Sequence, residues 1–168
     1  MHSPLMPMNP RLIPLLLCLS LMGCGQSDGQ IKEVFGSSQA IETVRNATAV
    51  TAYRLESYPQ QSFDDYEMTA GPVSVPENLS AELQTLLLDP GAYVWETDVA
   101  CEPLYGVRIE FQRDDDLVDA FFCFECDILT IYHNYQVVGG EEIDDIRSDL
   151  IEVMQPLFPD DEAIQSLE

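Results

Sequence analysis

Tyr105-Gly106-Val107-Arg108-Ile109-Glu110-Phe111-Gln112, then Arg113-Asp114-Asp115-Asp116, then Leu117-Val118-Asp119-Ala120-Phe121-Phe122-Cys123-Phe124 form the stretch that decides the fold. From Val107 onward apolar and polar residues alternate strictly, the period of a half-buried strand. The acidic run is a turn, and the chain returns in a second apolar strand. Pairing Gln112 with Leu117 sets Phe111 against Val118, Ile109 against Ala120 and Val107 against Phe122. All six apolar side chains then share one face. A slip of one residue would break that agreement, so the register is specified. The same pairing sets Glu110 opposite Asp119, two like charges that repel, with Arg108 or Arg113 near enough to compensate.

Outward from the hairpin, Ile128–Asn134 reads as a third strand and Thr48–Glu56 as a fourth. A short strand is expected near Tyr66–Thr69 and another within Ala92–Thr97. Helices are expected from Ser37 or Ser38 to about Asn46, over Ser80–Leu88, and from about Glu142 to Leu157. In the last, Ile143, Ile146, Leu150, Val153, Met154 and Leu157 keep helical spacing. Residues 39–168 therefore predict one α+β domain, an antiparallel sheet of about four to five strands with helices packed on one face.

The N-terminus differs in composition. No acid precedes Asp28, and Arg11 is followed by the apolar run Leu12–Met22. Eleven residues suit a signal-peptide core and fall short of the roughly 20 needed to span a bilayer. The run ends in Leu21-Met22-Gly23-Cys24, which resembles the lipobox of bacterial lipoproteins. The resemblance implies a signal peptide over 1–23, cleavage before Cys24, and acylation of that residue. It also implies a membrane-anchored protein of the bacterial envelope, periplasmic or surface-facing. Gly25 rather than Asp after the cysteine favours the outer membrane. An ordinary secretory signal and a retained anchor helix are the alternatives. Residues 24–38, rich in Gly and Ser, read as a flexible tether.

The 168 residues carry 30 Asp and Glu against 7 Lys and Arg, a net charge of −23. Cleavage would remove one base and no acid, taking it to −24. Such a surface excludes nucleic acid and electrostatic docking on anionic lipid. With 46% hydrophobic residues the chain is no disordered acidic tail. The acidic runs Asp64-Asp65, Asp114–Asp116, Glu141–Asp145 and Asp160–Glu162 lack calcium-loop spacing and read as turns, helix starts and solvated faces.

Beyond Cys18 and Cys24 there remain Cys101, Cys123 and Cys126. Cys123-Phe124-Glu125-Cys126 is a C-x-x-C, but it closes a strand, whereas a redox motif of the thioredoxin type opens a helix. Cys101, Cys123, Cys126 and His133 would make a Cys3His set suited to structural zinc. A disulfide is the plainer reading for an exported protein. Extending the hairpin register brings Cys101 near Cys126 and leaves one thiol buried. Cys101-Glu102-Pro103-Leu104-Tyr105-Gly106-Val107-Arg108 followed by Cys123-Phe124-Glu125-Cys126 resembles a pattern in small uncharacterised bacterial proteins, several of them predicted lipoproteins. That resemblance spans about 30 residues and implies no activity. Members often carry a His near the position of Tyr105, and its absence here weighs against a shared metal site.

No nucleophile elbow, zinc-protease helix or phosphate loop occurs, and no cofactor is expected. The chain reads as a non-enzymatic interaction or structural module with an envelope protein as partner. The alternatives are a cysteine-based zinc or thiol-dependent module, and a hydrolase using a carboxylate pair.

Overall fold

A computed structural model describes residues 24–56, 58, 66–95 and 100–168. The element order is α1 (Cys24–Phe35), α2 (Ser38–Arg45), β1 (Ala49–Glu56), β2 (Glu67–Ser74), α3 (Glu77–Leu87), β3 (Val107–Arg113), β4 (Asp116–Cys123), β5 (Ile128–His133), β6 (Gln136–Glu142), α4 (Arg147–Met154) and α5 (Glu162–Gln165). Six antiparallel strands make one sheet in the order β2-β1-β3-β4-β5-β6. The fold is α+β, with one strand more than the sequence suggests.

The β3–β4 register is the one expected, with Phe111 opposite Val118, Ile109 opposite Ala120 and Val107 opposite Phe122. All six are fully buried in the main core. Helices cover that face: α1 lies over β5 and β6, and α2 over β3 and β4. The helix expected near residue 38 is α2, whose N-cap Ser37 accepts the Ala40 N–H at 3.0 Å. The opposite face carries a smaller cluster of Leu55, Tyr105, Phe121 and Cys123, flanked by Tyr53, Tyr66, Cys126, Ile128 and Tyr132. Central strand β4 is thus buried on both sides.

Three expectations are corrected. The Gly- and Ser-rich stretch 24–38 is not a loose tether, because it holds α1 and the start of α2. Ile31, Val34 and Phe35, at helical spacing, are buried in the main core. The docking is close: a Cβ at Gly139 of β6 would lie 2.3 Å from the Val34 carbonyl oxygen. Gly36, at φ +71°, ends α1 with its N–H bonded to the Lys32 carbonyl at 2.8 Å.

Second, the expected helix from Glu142 to Leu157 is divided. Glu142 ends β6, Asp144–Ile146 is a 3-10 turn, α4 spans Arg147–Met154, and a 3-10 turn at Gln155–Leu157 follows. Pro156 has no N–H to continue the ladder. The apolar stripe itself was sound, for Ile143, Ile146, Leu150, Val153, Met154 and Leu157 are all buried. Strand β6, absent from the sequence reading, follows β5 through Asn134-Tyr135, both in the left-handed region at φ 49° and 67°. Two such residues between paired strands form the turn type that matches strand twist.

Third, Ala92–Thr97 is not a strand within its described part. It contributes one bridge, Val94 to Glu142, while Trp95 packs on Tyr93 and donates to the Pro90 carbonyl at 3.1 Å. Residues 96–99 and the signal stretch 1–23 lie outside the described residues.

Candidate functional site

Cys101 and Cys126 form a disulfide, with Cα atoms 6.1 Å apart. The bond joins the coil before β3 to the turn between β4 and β5. That turn is pinned from the helical side: Arg147 Nη1 donates to the Phe124 carbonyl at 2.6 Å and to Asp127 Oδ1 at 2.9 Å, and the Ile143 N–H donates to the Asp127 carbonyl. Cys123 is the free thiol. It is 0% exposed, and its sulfur accepts the Leu104 N–H at 3.3 Å.

His133 does not join the cysteines. It pairs with Val118, whereas Cys123 pairs with Ile128, so five residues of strand, roughly 17 Å, separate them. They also lie on opposite faces of the sheet. With two of the three sulfurs already bonded to each other, the Cys3His zinc set is not assembled. Among the described residues, no group of three or more His, Cys, Asp or Glu is arranged to hold a metal ion.

His133 belongs instead to a network centred on Asp116, which the sequence reading missed. Asp116 Oδ1 lies 2.9 Å from His133 Nε2 and accepts Asn134 Nδ2 at 2.9 Å and Gln39 Nε2 at 3.0 Å. Its Oδ2 accepts the hydroxyl of buried Thr43. One carboxylate therefore ties α2 to the turns of both hairpins. Burial alone would raise its pKa, but the bonds from Thr43, Asn134 and His133, with the charge of His133, outweigh that and hold it down at about 2. Sequence held one clue: pairing Val118 with His133 brings Asp116 to the end of the sheet occupied by Asn134. The depression there, of about 370 Å³, is open and lined by Gln39, Glu42, Thr43 and the Arg113–Asp116 turn.

On the other face, Glu110 and Asp119 stand opposite each other as expected. Arg108 compensates, with Nη2 3.3 Å from Glu110 Oε2 and Nε 3.5 Å from Asp119 Oδ1. Its guanidinium also lies 4.0 Å from the centre of the Tyr53 ring. Asp119 is only 1% exposed, and neither its Oδ1 nor Arg108 Nε makes an aligned hydrogen bond. Burial pushes the Asp119 carboxyl up to about 6; Arg108 opposes the rise and Glu110 adds to it. A carboxylate pair is thus present, but its buried member is closed to a substrate.

Cys24, the lipidation candidate, stands at the N-terminal end of α1, seven residues before Ile31, which is buried in the main core. Comparison of the chain with protein-family models, with curated proteins and with solved structures gives no match.

Proposed function

We propose that the chain is a lipid-anchored protein of the bacterial envelope, cleaved before Cys24 and acylated there, that acts as a non-enzymatic interaction or structural module. The observation that carries this reading is the Cys101–Cys126 disulfide, a bond that persists outside the reducing cytosol. It agrees with the lipobox-like Leu21-Met22-Gly23-Cys24 at the end of an apolar run. The carboxylates support a structural role. Asp116 is engaged by four side chains, and Asp119 is buried in the sheet beside Arg108. The net charge, −24 once Arg11 is cleaved away, then serves solvation, keeping the anchored body away from anionic surfaces. Outer-membrane residence is proposed from Gly25, with another envelope protein as partner.

Metabolic labelling with an alkyne fatty acid tests the anchor. The wild type is expected to carry label in the membrane fraction, and Cys24→Ser to lose both label and membrane association. Label retained by Cys24→Ser, or absent from the wild type, overturns the reading. Crosslinking in intact envelopes tests the partner: one recurrent adduct is expected, and recovery of abundant bystanders alone counts against an interaction role.

A further inference from the structure

The three cysteines of the folded body converge on one end of the β4–β5 hairpin. Cys123 closes β4 and Cys126 lies three residues on, in the pinned turn. Cys126 packs against the cluster that contains Cys123. The third sulfur, Cys101, is exposed on a coil segment with no ladder partners. The Leu104 N–H that donates to Cys123 lies three residues from Cys101, so the free sulfur is tied to the strand end that bears the outermost cysteine. A free thiol is thus held beside a disulfide whose near sulfur, Cys126, belongs to the same turn.

We propose that these residues form an intramolecular thiol–disulfide exchange triad. Local opening at the Leu104 contact admits solvent to the buried Cys123 thiol, which loses its proton there, and the thiolate attacks Cys126 Sγ. The Cys126–Cys101 bond breaks as the Cys123–Cys126 bond forms, and Cys101 leaves as a thiolate that takes up a proton. Nothing is oxidised or reduced overall. Cys126 is the sulfur attacked because it is the one packed against the Cys123 cluster. Cys101 is the leaving group because its coil can move away without breaking the sheet. The exchange turns a buried thiol into an exposed one. Its product can then attack a small or protein disulfide in an oxidising compartment, which gives the protein a thiol-reactive state that the resting fold conceals. This inference rests on the cysteine geometry and is independent of acylation at Cys24.

Alkylation of the native full-length protein with iodoacetamide at mildly alkaline pH, followed by peptide mapping, tests the exchange. Label is expected on Cys101, together with a Cys123–Cys126 disulfide. Label on Cys123 with Cys101–Cys126 intact, or no label, overturns the proposal. Cys123→Ser is expected to slow labelling of Cys101 by about tenfold or more, and an unchanged rate overturns it. Cys101→Ser, exported through an oxidising compartment, is expected to form the Cys123–Cys126 bond and leave neither of those two cysteines free. Cys123 and Cys126 both free in a folded variant contradict the triad. Should that variant not fold, the native mapping decides alone.

Discussion

Replacing Asp119 with Asn should stabilise the protein at neutral pH, although it removes one half of an ion pair. Arg108 serves two carboxylates, Glu110 and Asp119, so the buried group carries one excess negative charge. The Asp119 carboxyl titrates at about 6 in the fold against 3.8 for the free side chain. Between those values the folded state holds a proton that the unfolded chain has released. Wild-type stability must therefore fall as pH rises from about 4 to about 6. A shift of that size corresponds to about 3 kcal/mol, present in full above pH 7. Asn keeps the shape and an acceptor for Arg108, and the Arg108–Glu110 pair becomes neutral. Its amide adds two donors in a buried place, which costs about 1 kcal/mol. Asp119→Asn should then be more stable than the wild type by about 2 kcal/mol at pH 7.5 and close to it or slightly weaker near pH 4. Urea unfolding at pH 4.5, 6 and 7.5 measures this. A variant less stable than the wild type at pH 7.5, or one that keeps the wild-type slope between pH 4 and 6, would refute the reasoning.

Arg108→Met leaves two facing carboxylates with no cation; unfolding in urea should show a loss of roughly 3–5 kcal/mol at pH 7.5, partly recovered at pH 5 as Asp119 protonates. Asp116→Ala strands Thr43 and unties α2 from the two turns, so thermal melts at pH 7 should report a loss of roughly 2–4 kcal/mol. Because the Asp116 pKa is depressed to about 2, its contribution is complete above pH 4 and fades as pH falls toward 2, where wild type and variant should converge. Gly139→Val drives a side chain into the Val34 and Glu33 carbonyls; hydrogen exchange should show protection lost across Ile31–Phe35 while the β3–β4 hairpin keeps its own.

The hairpin could be read from sequence because three constraints agree: strict alternation, an acidic turn at Arg113–Asp116 and an apolar face that only one register completes. The same register carried the cysteine reading, since extending it past Val107 and Phe122 brings Cys101 toward Cys126. It also exposed the Glu110–Asp119 conflict and named Arg108 as one of two residues able to relieve it. Where reading failed, composition concealed packing. Gly139 and Gly140 look like breakers, yet Gly139 is the flat place on which the α1 backbone rests. Gly29, Gly36, Ser37 and Ser38 suggest a tether and distract from Ile31, Val34 and Phe35, whose spacing is that of a buried helical stripe. The Asp116 network was hidden for a different reason. Its partners, Gln39, Thr43, His133 and Asn134, lie up to 77 residues away and meet only when α2 and two hairpin turns reach the same end of the sheet.

The proposed anchor places this fold on a lipid attached to Cys24. Intact-mass measurement of the protein extracted from membranes tests it most directly. The expected species is a chain that begins at Cys24 and exceeds its polypeptide mass by that of acyl groups on the first residue. A mass matching the uncleaved chain, or an unmodified chain starting at any other residue, would contradict it.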